Sequence, residues 1–181
     1  MYKIIALIGE AGSGKDTMMQ VILNRNHNLH EIISCTTRPR REGEVEGVNY
    51  FYLTPEQFGD KVVHDEMLEA TCFNDWFYGT SYDSLRSDVI NIGVFNPAGI
   101  ESLIDRKDID IKVFYVKTSA KNRLLRQLNR EENPNVDEII RRFKTDSIDF
   151  MDLNFNYIEV KNDTYDDLEA SVKEILSQIE S

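Results

Sequence analysis

Ile4 to Ile8, five apolar residues in a row, run into Gly9-Glu10-Ala11-Gly12-Ser13-Gly14-Lys15-Asp16-Thr17 and then into a stretch with Met18, Met19, Ile22 and Leu23 at helical spacing. No other feature of the chain constrains its fold as tightly. A strand that is apolar at every position is buried on both faces, as the middle strand of a parallel sheet is. Glycines at the strand-to-helix turn let backbone N–H groups point inward, and the start of the helix adds partial positive charge, so the turn is suited to hold phosphate. Lys15 then reaches the outer phosphates of a nucleotide. The strict pattern places Ser or Thr directly after the lysine, whereas here Asp16 stands there and Thr17 follows. Either Asp16 approaches a magnesium ion, directly or through water, or Thr17 packs inward and Asp16 caps the helix. The competing reading, a glycine-rich turn with no ligand, fits poorly with the Gly14-Lys15 pair and the two further glycines at the right spacing.

The remaining pattern alternates strands and helices, which favours one α/β domain with a parallel sheet covered on both faces. A short second strand is expected over Glu31–Ser34, then strands over Val89–Phe95, Ile111–Val116 and Tyr157–Val160. Helices are expected over about Lys15–Asn26 and Pro97–Asp105, and a closing helix packs Leu168, Val172, Ile175, Leu176 and Ile179. Residues 35–81 depart from this rhythm, with alternating Tyr50, Phe51, Tyr52 and Leu53 and a helix after Pro55, and read as a β-rich insertion. A helix from Ala120 breaks around Asn133-Pro134-Asn135 and resumes with Ile139, Ile140 and Phe143, an arginine-rich hairpin that can move as a lid. With 181 residues the chain is one domain's worth, about 100 to 200 residues being usual.

The formal charge of −11 repels a polyanion and argues against general nucleic-acid binding. Yet three of eleven arginines fall within residues 38–41, and five more are Arg123, Arg126, Arg130, Arg141 and Arg142. An acidic chain that gathers guanidinium groups in two places is suited to a small, highly charged anion. No apolar run approaches the ~20 residues of a membrane span, and the N-terminus lacks an export signal, so a cytoplasmic location is expected. Cys35 and Cys72 are expected as inert reduced thiols, and His27, His30 and His64 as surface or satisfied histidines. Trp76 and Phe77 are expected to pack beneath the insertion.

The second chemical signal is Ser34-Cys35-Thr36-Thr37-Arg38-Pro39-Arg40-Arg41, followed by Gly47-Val48-Asn49-Tyr50. Arginines, hydroxyls and a tyrosine on a short loop make a clamp for a second phosphate, which a phosphate-loop protein needs when it moves phosphate between two molecules. Here the sequence resembles the guanylate kinase family. The run Ser34–Tyr50 is similar to that family's monophosphate signature. Leu68-Glu69 with Tyr78-Gly79-Thr80-Ser81 is similar to its second recognition segment, and Val160-Lys161-Asn162-Asp163 to its segment beside the ATP adenine and ribose.

The resemblance implies a P-loop NTPase three-layer sandwich with core 1–34, 82–129 and 145–181, a monophosphate-binding insertion 35–81 and a helical lid 130–144. It implies ATP-dependent phosphorylation of GMP or dGMP with Mg2+ and no nucleic-acid or membrane partner. The donor would be held by Gly9, Gly12, Ser13, Gly14, Lys15, Asp16, Thr17 and Asn162, with the metal at Asp16 and Thr17. Arg38, Arg41, Tyr50 and Tyr78 would hold the acceptor phosphate, while Ser34, Glu69 and one hydroxyl of Thr80 or Ser81 would read the base. A carboxylate at Glu69 accepts from guanine N1–H and the N2 amino group, which adenine lacks. Lys15, Arg130 and Arg142 would meet the transferring phosphoryl group. Gly93 and Phe95 stand where the family carries two acids, Cys72 replaces another, and the Arg130 to Arg142 spacing is about one residue long. Two alternatives stay open: a nucleoside monophosphate kinase of other or broader base specificity, and a non-catalytic phosphopeptide-binding module of the same fold.

Overall fold

The computed structural model describes residues 1–41, 43–73, 75–130 and 132–179. β1 (Tyr2–Ile8) lies between β7 (Ile90–Val94) and β8 (Ile109–Lys117), and β2 (Leu29–Glu31) and β9 (Ile158–Lys161) close the two edges. All four pairings are parallel. β1 alternates its side chains between two cores. Ile4, Ala6 and Ile8 face one layer, with Ile100 and Leu103 of α3 (Pro97–Leu103). Ile5 and Leu7 face the other, with Met18, Met19 and Ile22 of α1 (Lys15–Arg25) and Val172 and Ile175 of α6 (Tyr165–Ile179). Burial on both faces is what the unbroken apolar run demands.

The second strand forms earlier than expected, over Leu29–Glu31 rather than Glu31–Ser34. Its only neighbour among the described residues is β7, and after Ile32 N–H bonds to Ile92 O the chain leaves the ladder, with Ile32 buried against Gly93. Residues 35–81 build a separate sheet in the order β4-β3-β6-β5, from β3 (Cys35–Thr36), β4 (Phe51–Tyr52), β5 (Met67–Phe73) and β6 (Trp76–Ser81). The helix α2 (Pro55–Val63) covers it, started by a Thr54/Gln57 capping box and Pro55. Phe77 stacks on the buried Phe58 of α2 at 5.5 Å between ring centroids but stays exposed on its other side.

α4 (Ala120–Leu128) and α5 (Val136–Asp149) are the two arms of the arginine-rich hairpin. The buried residue of α4 is Arg123, while Leu124 and Leu125 are exposed. α5 runs unbroken past Lys144 to Asp149, so the expected lid boundary falls inside a helix. Strand order reverses about β1, which puts a crevice at the carboxyl end of the sheet, beside the Gly9–Thr17 turn. Among the described residues no helix is long and apolar enough to cross a membrane.

Candidate active site

The Gly9–Thr17 turn takes its shape from two backbone demands and one shared carbonyl. Gly12 and Gly14 have φ of +80° and +84°, a region where an L side chain is strained. A Cβ on Gly12 would stand 2.5 Å from Arg123 O, and one on Gly14 would stand 2.5 Å from Asn162 Nδ2, so neither position has room for one. The carbonyl of Ser13 receives three donors: Asn162 Nδ2 at 2.7 Å, Arg126 Nη1 at 3.0 Å and Thr118 Oγ1 at 3.0 Å. A peptide oxygen held by three side chains fixes the orientation of the Ser13–Gly14 peptide, whose N–H points away from those donors.

Two residues expected to touch the donor have buried side chains. Asn162 is buried and spends its amide on Ser13 O, and the Ser13 hydroxyl is itself buried. Arg126, one of the clustered arginines, spends its fork on the Gly12, Ser13 and Asn162 carbonyls rather than on an anion. Gly14 is the N-cap of α1 and no side chain caps it, so Asp16 is not the cap. Asp16 and Thr17 are both exposed, which removes the reading in which Thr17 packs inward.

One cleft of about 1000 Å³ is lined by Gly9, Gly12, Gly14, Lys15, Asp16 and Thr17 on one wall. The opposite wall carries Ser34, Arg38, Arg41, Tyr50, Glu69 and Tyr78, with Arg130 and Arg142 at its mouth. Tyr50 joins the walls electrostatically: burial first, and then the Asp16 carboxylate, push its hydroxyl up. Burial and the neighbouring guanidinium groups of Arg38 and Arg142 push Arg41 down. Three cations converging from two segments are a binding charge for a multivalent anion.

Glu44, which the sequence reading passed over, organises this wall. It accepts both oxygens' worth of bonds from Arg38 Nη2, at 2.8 and 3.0 Å, and further bonds from Arg41 N and the Tyr52 hydroxyl, each at 2.8 Å. Burial raises its carboxyl, but these donors outweigh burial and hold it at about 2. Arg38 is thus buried yet paired, with the rings of Tyr50 and Tyr52 beside its guanidinium. Arg142 is likewise parked, Nε on Glu138 Oε1 at 3.0 Å, and Arg141, then Arg142, hold that carboxyl at about 2.

Deeper in the cleft, burial pushes the Glu69 carboxyl up to about 7. Thr80 pairs directly across the ladder from Glu69 and its hydroxyl is fully buried, whereas Ser81 lies beside the buried Cys35 thiol. The two positions expected to have lost acids diverge. A Cβ on Gly93 would meet Ile32 at 3.0 Å, inside the apolar core, while Phe95 lines the cleft with Val94. The end of β7 therefore supplies the cleft with no carboxylate. Asn91, another oxygen donor of that strand, is buried at the far end, where its amide binds Lys3 O, Arg86 N and Arg86 O.

Among the described residues no three His, Cys, Asp or Glu side chains could hold a metal ion by themselves. Asp16 and Thr17, at the head of α1 beside Lys15, offer one carboxylate and one hydroxyl. That donor set fits a magnesium ion whose remaining positions are filled by phosphate and water. Two of the three histidines take structural partners, His30 on Ser84 O and His64 on Asp60 O.

Residues 1–179 match the family model described as Guanylate kinase. Guanylate kinase of Mesomycoplasma hyopneumoniae strain J is 28% identical over 98% of this chain and 95% of its own length. That of Malacoplasma penetrans is 31% identical over 89% and 86%. Among solved structures, guanylate kinase from Anaplasma phagocytophilum superposes with a TM-score of 0.71 over 99% of this chain and 85% of that one, at 18% identity.

Proposed function

This chain belongs to the guanylate kinase family, and on that premise we propose that it transfers the terminal phosphoryl group of ATP to GMP. The observation that carries the reading is the single cleft whose walls are the amide turn with Lys15 and the wall of Arg38, Arg41 and Glu69. The donor's phosphates lie on the amides of the turn, with Lys15 on the outer ones. The acceptor's phosphate lies against Arg38, Arg41, Tyr50 and Tyr78, and its base reaches Glu69, Thr80 and Ser34. An acceptor phosphate oxygen bonds to the terminal phosphorus as the bridging oxygen of the donor leaves, so side chains supply alignment and charge rather than bond chemistry. Arg130 and Arg142 neutralise the charge that spreads over the transferring group. Asp16 and Thr17 would hold magnesium beside the donor, where it would supply positive charge to the phosphates.

Asn162 supports the turn from behind in this reading, and the base is read by Thr80 rather than Ser81. Residues 35–81 and the helical segment that carries Arg130 and Arg142 close over the two nucleotides and exclude water, which would otherwise hydrolyse ATP. A turnover panel over GMP, dGMP, AMP, CMP, UMP and dTMP with magnesium and ATP tests the reading. GMP should be turned over at least ~10²-fold faster than AMP, because Glu69 is an acceptor with no partner on adenine. Lys15→Ala should lower kcat by ~10²-fold or more with the fold intact. Equal turnover of all six acceptors, or near-normal activity without Lys15, would remove the assignment.

A further inference from the structure

Asp146 stands where the phosphate turn meets α5, and its surroundings are unbalanced. Its Oδ2 accepts the Ala11 N–H at 2.6 Å, so a carboxylate occupies one amide of the turn. The same oxygen is 3.9 Å from Arg123 Nη1, beyond hydrogen-bond range. Arg123 is buried on α4, and its Nη1 and Nε have no hydrogen-bond partner among the described residues. The rest of its guanidinium is engaged, with Nη2 at 3.2 Å from Glu10 Oε1 and the Phe143 ring centroid 4.6 Å from Cζ. A shift of about 1 Å would bring the Asp146 carboxylate within bonding distance of the orphaned Nη1. It is therefore an anion bound to one partner and aimed at a second.

We infer that Asp146 is a positioning residue for the donor nucleotide. It holds the Ala11 amide when no phosphate is present, yields it to the outermost donor phosphate, and takes the Arg123 N–H groups in exchange. Two anions cannot share one amide, so phosphate and Asp146 compete for it. Arg123 makes the release favourable, because a buried donor without an acceptor gains one. Arg142 lies one turn earlier on the same face of α5, so the exchange moves the helix that carries it. Donor occupancy is thereby transmitted to the arginine that meets the transferring phosphoryl group.

The inference rests on the reading of Gly9–Thr17 as the donor site, and the test separates the two. Binding of magnesium-ATP alone and of GMP alone is measured on the wild type and on Asp146→Asn, which keeps an oxygen for Ala11 N–H but removes the competing charge. The variant should bind ATP about five- to tenfold more tightly, bind GMP unchanged, and show a lower kcat at saturation of both substrates. A merely structural role would shift both nucleotides and the melting temperature together. ATP affinity equal to or weaker than that of the wild type overturns the inference, and so does a parallel change for GMP. A wild type that binds no ATP overturns the donor site and this inference with it. Should Asp146→Asn fail to melt cooperatively, Arg123→Lys carries the test: ATP binding about three- to tenfold weaker with GMP unchanged supports the exchange, and unchanged ATP binding overturns it.

Discussion

Asn162 Nδ2 and Ser13 O, 149 residues apart in the chain, meet at 2.7 Å behind the phosphate turn. The bond ties the loop after β9 to the loop after β1, and with Thr118 and Arg126 it fixes the Ser13–Gly14 peptide. Asn162→Ala leaves Ser13 O with two of its three donors. The expected cost is about 1 kcal/mol of stability, read by denaturant unfolding, together with a several-fold rise in the KM for ATP. The KM for GMP should not move, and a rise in both would place Asn162 outside the donor wall.

Asp16 takes the place of the usual hydroxyl residue after the lysine, and it faces the cleft. Asp16→Asn should raise the magnesium concentration for half-maximal activity by about tenfold. Saturating magnesium should restore most of the turnover. An unchanged magnesium requirement would show that Asp16 does not meet the metal.

Burial sets Glu69 near pH 7, and guanine offers it two donors, so the ionised form is the one that binds. The KM for GMP should fall by about tenfold from pH 6 to pH 8, and the profile of Glu69→Gln should be flatter than that of the wild type. For stability the sign is opposite. The folded value lies above the unfolded one, so the contribution of this carboxyl is full below about pH 4.5 and is lost as pH rises through about 7.

Glu44 behaves in the reverse sense. Its folded value of about 2 lies below the unfolded one, so it stabilises the protein above about pH 4.5 and ceases to do so as pH falls through about 2. Melting temperatures across pH 2 to 5 should fall less steeply for Glu44→Gln than for the wild type. Because Glu44 also holds Arg38 and Arg41, the variant should raise the KM for GMP several-fold at pH 7.5, leaving the KM for ATP alone.

The unbroken apolar strand, the glycine spacing and the amphipathic helix determined by themselves the parallel sheet and the phosphate turn, because each is a local rule: burial on both faces, positive φ and 3.6-residue periodicity act within a few residues. The arginine clusters likewise announced an anion site. The same guanidinium fork serves a phosphate, a carboxylate or a peptide carbonyl equally well, and nothing in its neighbours along the chain distinguishes them. Only the tertiary structure decided that Arg126 binds the turn's carbonyls, that Arg38 rests on Glu44 and that Arg123 is buried beside Asp146. The placements of Asn162 and Gly93 were beyond the sequence for a related reason. What a position faces is set by what packs against it, and for these two that is Ser13, far away in sequence, and Ile32, in the apolar core.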